Sequence, residues 1–128
     1  MAKTRLKVYS DEEVRERLAR ELPDWYLQDG WIRRFYRTDG WQTTMMLVNT
    51  IGFLAEAAYH HPDLTVSWAK VWVKLQTHSA GGITDKDFEL AKKIEEVVLW
   101  HPPKDSVFEG GTPNKFVQSG PKPREVDG

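Results

Sequence analysis

The chain has 128 residues and four histidines, and three of these, His60, His61 and His78, lie in one short stretch with Pro62 directly after the pair. Imidazole titrates ordinarily near ~6.5, so it can give or take a proton around neutrality. Three readings are open for such a cluster. A His-His pair before proline can be only a polar helix terminus, where a cationic ring suits the dipole. It can belong to a three-histidine zinc site, which needs ring nitrogens converging at about 2 Å. Adjacent side chains diverge, however, and no HExxH or similar helical pair occurs. The third reading is a metal-free acid–base set.

Two carboxylates and one indole lie within reach in sequence. Asp87 falls three residues after Thr84, the N3 position of a capping box. It can cap a helix, stand near His78, or do both. Glu56 lies one helical turn before His60, on the same face by its i,i+4 spacing, and reads equally as a solvated helix residue. Trp68 and Trp72 are core residues by default; a stacking surface for a flat heterocycle is the sharper alternative.

The elements that must position these residues follow from periodicity. Ser10 and Glu13 form a capping box ahead of Val14, Leu18 and Leu22, and Pro23 ends that helix. Trp25–Gln28 and Trp31–Tyr36 flank Asp29-Gly30, a hairpin signal. A second helix opens at Thr38-Asp39-Gly40 with a stripe of Trp41, Met45, Val48, Ile51, Ala55 and Ala58. Pro62 disfavours helical backbone at His61, so the helix should end near Tyr59 or His60. Leu64–Trp68 and Val71–Leu75 read as strands joined at Ala69-Lys70. Thr84 caps a third helix with the stripe Phe88, Ala91, Ile94 and Val98. The order helix, two strands, helix, two strands, helix predicts an α+β fold: a four-stranded antiparallel sheet with three helices on one face. Beyond Trp100 lie five of the seven prolines and four glycines. Residues 101–128 therefore read as a non-regular extension, attached at most through Val107-Phe108 and Phe116-Val117.

Bulk composition narrows the function classes. Hydrophobic residues make up 40 % of the chain, with six Trp, enough for the core of one domain. The absence of cysteine excludes disulfides and thiolate chemistry. Eighteen basic residues against nineteen acidic ones leave a net charge of -1, so no overall charge draws the chain to nucleic acid or an anionic membrane. There is no apolar run of membrane-spanning length. The charged N-terminus does not resemble a secretory leader, and a cytoplasmic setting is expected. The second helix carries Met46, Leu47, Phe53 and Leu54 besides its stripe, more apolar surface than one sheet face covers, so self-association is expected.

Taken together, Glu56, His60-His61-Pro62, Trp68, His78 and Asp87, with Thr77 before His78 and Gly82-Ile83-Thr84 before Asp87, resemble the signature of the pterin-4a-carbinolamine dehydratases. The resemblance covers roughly residues 7–100, and residues 1–100 are taken as the dehydratase-like domain. It implies loss of water from 4a-hydroxytetrahydropterin to give quinonoid dihydropterin, in the recycling of tetrahydrobiopterin, without cofactor or metal. It implies His60, His61 and His78 as the catalytic histidines. Glu56, Asp87, Trp68 and Pro62 would be supporting or substrate-binding residues. His61 and His78 are the expected proton-transfer pair, with His60 in binding or serving the other stereochemical face. The resemblance further implies a homodimer or homotetramer. The second function class it carries is a binding protein, a dimerisation or assembly cofactor for another protein. Leu64, where the family often has an aromatic residue, and Tyr59, where it sometimes has an acid, depart from the pattern and bear on pterin stacking and hydrogen bonding.

Overall fold

Ser10 accepts a hydrogen bond from the Glu13 amide at 3.2 Å while the Glu13 carboxylate accepts from the Ser10 amide at 3.0 Å. This reciprocal cap starts α1 (Asp11–Glu21). A computed structural model describes residues 6–108 and 116–123. The N-terminal residues on which the absence of a leader was read, and parts of the extension, lie outside the described residues. Asp29 and Gly30 both have positive φ (52° and 80°), the turn that an Asp-Gly pair favours, and they join β1 (Tyr26–Gln28) to β2 (Trp31–Thr38). Next come α2 (Trp41–Ala58), β3 (Asp63–Ser67), β4 (Lys70–Leu75), a single 3₁₀ turn at His78–Ala80, and α3 (Asp85–Val98). No helix among the described residues is long and apolar enough to cross a membrane.

The sheet is antiparallel in the order β1-β2-β4-β3. Ile32, Arg34 and Tyr36 on β2 pair with Leu75, Val73 and Val71 on β4 and form the buried face. Val14 and Leu18 of α1, Leu47 and Ile51 of α2, and Phe88, Ala91 and Ile94 of α3 join them in one core. The expected α+β architecture, with helices against one sheet face, is the observed one.

Three details differ from the sequence reading. The sheet has a fifth strand, β5 (Val117–Ser119), which pairs with Tyr36–Thr38 of β2. Short β1 covers only Trp31–Arg33, so β5 extends its row along the same edge. Part of the supposed non-regular extension is thus sheet: Val117 is buried, and Gly120 donates its amide to the Phe35 carbonyl at 2.9 Å. A Cβ at Gly120 would run into the Phe35 ring, so glycine is what lets the two backbones meet. Phe108 meets the edge of Trp100, and Val107 is exposed. Secondly, the buried stripe of α2 is Thr44, Leu47, Ile51 and Ala55, whereas Trp41 and Ala58 are exposed. A threonine takes a core position because its hydroxyl is satisfied there, bonding Thr38 Oγ1 at 2.7 Å and the Trp68 carbonyl at 2.9 Å. Thirdly, the β3–β4 turn falls on Trp68-Ala69, one residue earlier than expected.

A buried cation stands inside the core. Arg34 is fully inaccessible and projects between the sheet and α3. Its Nε and Nη2 bond Glu95; Nη2 also reaches Ser119 Oγ at 2.7 Å, and Nη1 reaches the Phe35 carbonyl at 3.1 Å. Glu95 further accepts from Trp25 Nε1 at 3.0 Å and from the Tyr36 hydroxyl at 2.5 Å. Burial, and then the Glu95 charge, push the Tyr36 phenol well above its ordinary value, which keeps it a donor.

Removing Glu95, the close counter-charge of Arg34, should cost about 3–5 kcal/mol, since it leaves only Asp24, at 3.9 Å, as an ion-pair partner among the described residues. Glu95→Ala is expected to show that loss in urea denaturation, and the double change Arg34→Met with Glu95→Leu to recover only part of it, because the buried Trp25 and Tyr36 donors stay without their acceptor. Deleting 116–128 removes the buried Val117 and the Ser119 bond, and should lower Tm by at least about 4 °C. An unchanged melting curve would show that β5 adds no stability.

Candidate functional site

Three chain ends meet at one rim of the sheet. α2 stops because Tyr59 turns into left-handed backbone (φ 49°) and its amide closes onto Ala55 and Glu56. His60 is thereby off the helix. Pro62 cannot extend a helix and leads into β3, so His61 lies at the turn between the two. On the facing strand, Asp63 pairs with Lys74. Thr77 then forms an isolated bridge with Gly82 around the His78–Ala80 turn, and Gly81 (φ 77°) supplies the left-handed residue that closes it.

Asp87 holds these ends together. Its side chain is fully buried and sits at N3 of α3. Oδ2 accepts from the Thr84 amide at 2.9 Å and from the Thr77 hydroxyl at 2.8 Å. Oδ1 lies 2.6 Å from His60 Nε2. The cap and the site are therefore one group in two roles. Thr77 gives its only hydroxyl proton to Asp87, so the Thr84 hydroxyl, 2.8 Å away, donates to Thr77. Thr84 in turn accepts from the Lys86 amide at 3.2 Å. An ionised carboxylate only accepts, so the imidazole proton of His60 facing Asp87 is on Nε2, and Nδ1 is left for other partners.

His61 makes a second pair of the same kind. Its Nε2 lies 2.5 Å from Glu56 Oε1, and its ring meets Tyr59 edge-on at 5.6 Å. The i,i+4 spacing had aimed Glu56 at His60. The left-handed turn at Tyr59 takes His60 off the helical path and swings His61 back over the last turn instead. Exposure separates the two rings: the His60 side chain is 12 % accessible and that of His61 is 50 %. His78 is exposed and lies edge-on to the Trp31 ring at 5.3 Å.

Trp68 is not brought to this rim. It sits in the β3–β4 turn, with its indole against Gly40 at the start of α2. The 18 residues of α2 separate the two ends by about 27 Å. Equal spacing along a strand cannot reveal at which end of the sheet a residue falls. Conversely, Thr77 and Trp31 were not singled out as site residues. A buried threonine after a strand and an aromatic residue opening one look like ordinary core until the register is known. Among the described residues, no three His, Asp or Glu side chains are grouped as metal ligands. The arrangement offers two imidazoles each oriented by a carboxylate, plus a third on an indole, at the edge of solvent.

A family profile described as Pterin 4 alpha carbinolamine dehydratase matches residues 7–97. A protein of Aquifex aeolicus is 51 % identical over 89 residues, spanning 70 % of this chain and 89 % of its own length. One of Haloarcula marismortui is 39 % identical over 88 residues, spanning 69 % and 92 %. Both are provisionally named pterin-4-alpha-carbinolamine dehydratase. A crystal structure from Brucella melitensis, titled a transcriptional coactivator/pterin dehydratase, is similar with a TM-score of 0.66 and 26 % identity, covering 72 % of this chain and 99 % of that one. On the profile match and these likenesses, the chain belongs to the pterin-4-alpha-carbinolamine dehydratase family.

Proposed function

We propose that the chain removes water from 4a-hydroxytetrahydropterin, giving quinonoid dihydropterin by histidine general acid–base catalysis within tetrahydrobiopterin recycling. The observation that carries the reading is the pair of carboxylate-held imidazoles, His60–Asp87 and His61–Glu56, on the rim that also bears His78. In the reaction the C4a–O bond breaks as the N5 lone pair forms the C4a=N5 double bond. The departing hydroxyl takes a proton and leaves as water; the N5 proton passes to a base. Protons in and out balance, and no electrons are transferred to a cofactor.

Each imidazole held through Nε2 presents Nδ1, which accepts a proton when neutral and donates one when charged. His61 and His78, the two exposed rings, are assigned the transfers. His60, enclosed and fixed by the Asp87 network, is assigned to binding and orientation, with Pro62 holding the turn. A cytoplasmic setting belongs to this reading. Proton transfer by His61 and His78, one as acid and the other as base, is worth roughly 10²–10⁴-fold each. His61→Ala and His78→Ala should therefore each lower kcat by at least a hundredfold on freshly generated 4a-hydroxytetrahydropterin, and wild-type turnover should survive a chelator. Near-wild-type turnover in both variants would refute the assignment; loss of activity with chelator would refute metal-free catalysis.

Self-association and docking have their own support. Met46 and Phe53 on the outer side of α2 are 62 % and 73 % exposed, and apolar side chains so placed suit an interface. A homodimer or homotetramer through this face is the expected state. Light scattering should give a multiple of the chain mass that falls in Met46→Glu with Phe53→Glu; a wild-type monomer at micromolar concentration would count against it.

A further inference from the structure

The side of the sheet away from the helices carries a chemistry the dehydration does not use. Residues there alternate with the helix-facing ones: Trp31, Arg33, the buried Phe35 and Arg37 on β2, Lys70, Trp72 and Lys74 on β4, Asp63 and Thr65 on β3. Four cations thus share this face with one strand carboxylate, although the whole chain has a net charge of -1. Tyr26, Arg33, Lys74 and Asp63 form one row across β1, β2, β4 and β3. Around that row, with Thr65 and Trp72, lies a cavity of about 280 Å³. Pockets for whole drug-sized ligands generally measure roughly 300–1,000 Å³, so this space is that of a small group.

The cavity adjoins the histidine rim. Lys74 Nζ stands 4.4 Å over the Trp31 ring, and the same ring meets His78 edge-on at 5.3 Å. The row lies two residues along β2 from Trp31, about 7 Å at strand rise. In a pterin, the C6 side chain leaves the ring just beyond N5, the atom next to C4a. A pterin with C4a at the rim can therefore extend that side chain down the sheet.

We infer that this cavity is the subsite for the C6 substituent of the pterin, and that it selects a hydroxylated side chain ending in an anion such as phosphate. The inference rests on the dehydratase reading for its ring position. Arg33 and Lys74 receive the anion. Lys74 holds Asp63 only at 4.0 Å, and Arg33 faces the exposed Asp29 at 3.9 Å, so neither cation is locked in a close ion pair. Asp63 and Thr65 accept from hydroxyls of the chain. Burial pushes the Tyr26 phenol above its ordinary value, so it stays a donor. The plane of Trp72, stacked on Phe35 at 4.9 Å, forms an apolar floor.

Calorimetric titration of the full chain at low salt, with 6-methylpterin and with a pterin whose side chain ends in phosphate, tests the inference. The phosphorylated compound should bind at least tenfold tighter. That ratio should fall at least threefold in Lys74→Met and in Arg33→Met, reach about one in the double variant, and be retained in Lys74→Arg. A ratio near one in wild type, or one indifferent to both substitutions, overturns the subsite. Turnover of the 4a-hydroxy form of the methyl compound is read separately. No turnover with an intact ratio defeats the dehydratase reading and leaves the anion subsite standing; turnover with a ratio of one does the reverse.

Discussion

The buried carboxylate of Asp87 is the constraint on which the working end of the molecule depends. Charge removed from water is costly unless it is paired and hydrogen-bonded. Asp87 meets that requirement with donors from three places: the Thr84 amide at its own helix start, the Thr77 hydroxyl beyond β4, and the His60 ring beyond α2. Satisfying one carboxylate therefore fixes three chain ends relative to one another. The helix cap, the closure of the 78–81 turn and the orientation of an imidazole become a single requirement. Loss of any donor would leave a buried charge short of a partner, which ties the geometry of the rim to the stability of the fold.

A second buried charge, Arg34, does comparable work between the sheet and α3. Its guanidinium joins β2 to Glu95 on α3 and to Ser119 on β5, while Trp25 and Tyr36 bring the β1 entry and the sheet centre to the same carboxylate. β5 lies beyond the stretch matched by the family profile, which ends at residue 97. The chain thus closes an edge of its sheet with a segment outside the shared domain, and an uncovered strand edge is a known route to unwanted pairing.

The two faces of the sheet divide the labour. One is sealed by the helices around a core that contains only paired charges. The other remains accessible, cationic and aromatic, and runs up to the rim where His78 rests on Trp31. Catalytic groups at a rim between them can act on a ring whose substituent lies along the open face. The overall charge of the chain conceals this arrangement, since segregation across a sheet cancels in a sum.

Much of this was readable from residue order. Ser10 and Glu13, Asp29-Gly30, Pro62 and Thr84 act through neighbours a few residues away, so the helix starts, the hairpin and the end of α2 follow from local chemistry. The same locality made Asp87 visible as a cap and the histidines visible as a set. What local chemistry could not decide was the pairing. Glu56 faces His61 rather than His60 because one left-handed residue, Tyr59, redirects the chain after the helix. Trp68 is remote because a two-residue turn sends it to the far end of the sheet. Thr77, Arg34 and β5 acquire their roles only through partners tens of residues away, whose proximity is set by strand register and by which face each element buries. Residue types and spacings determined which groups this protein has for chemistry; the tertiary structure decided which of them meet, because contact between distant segments is a property of packing and not of order.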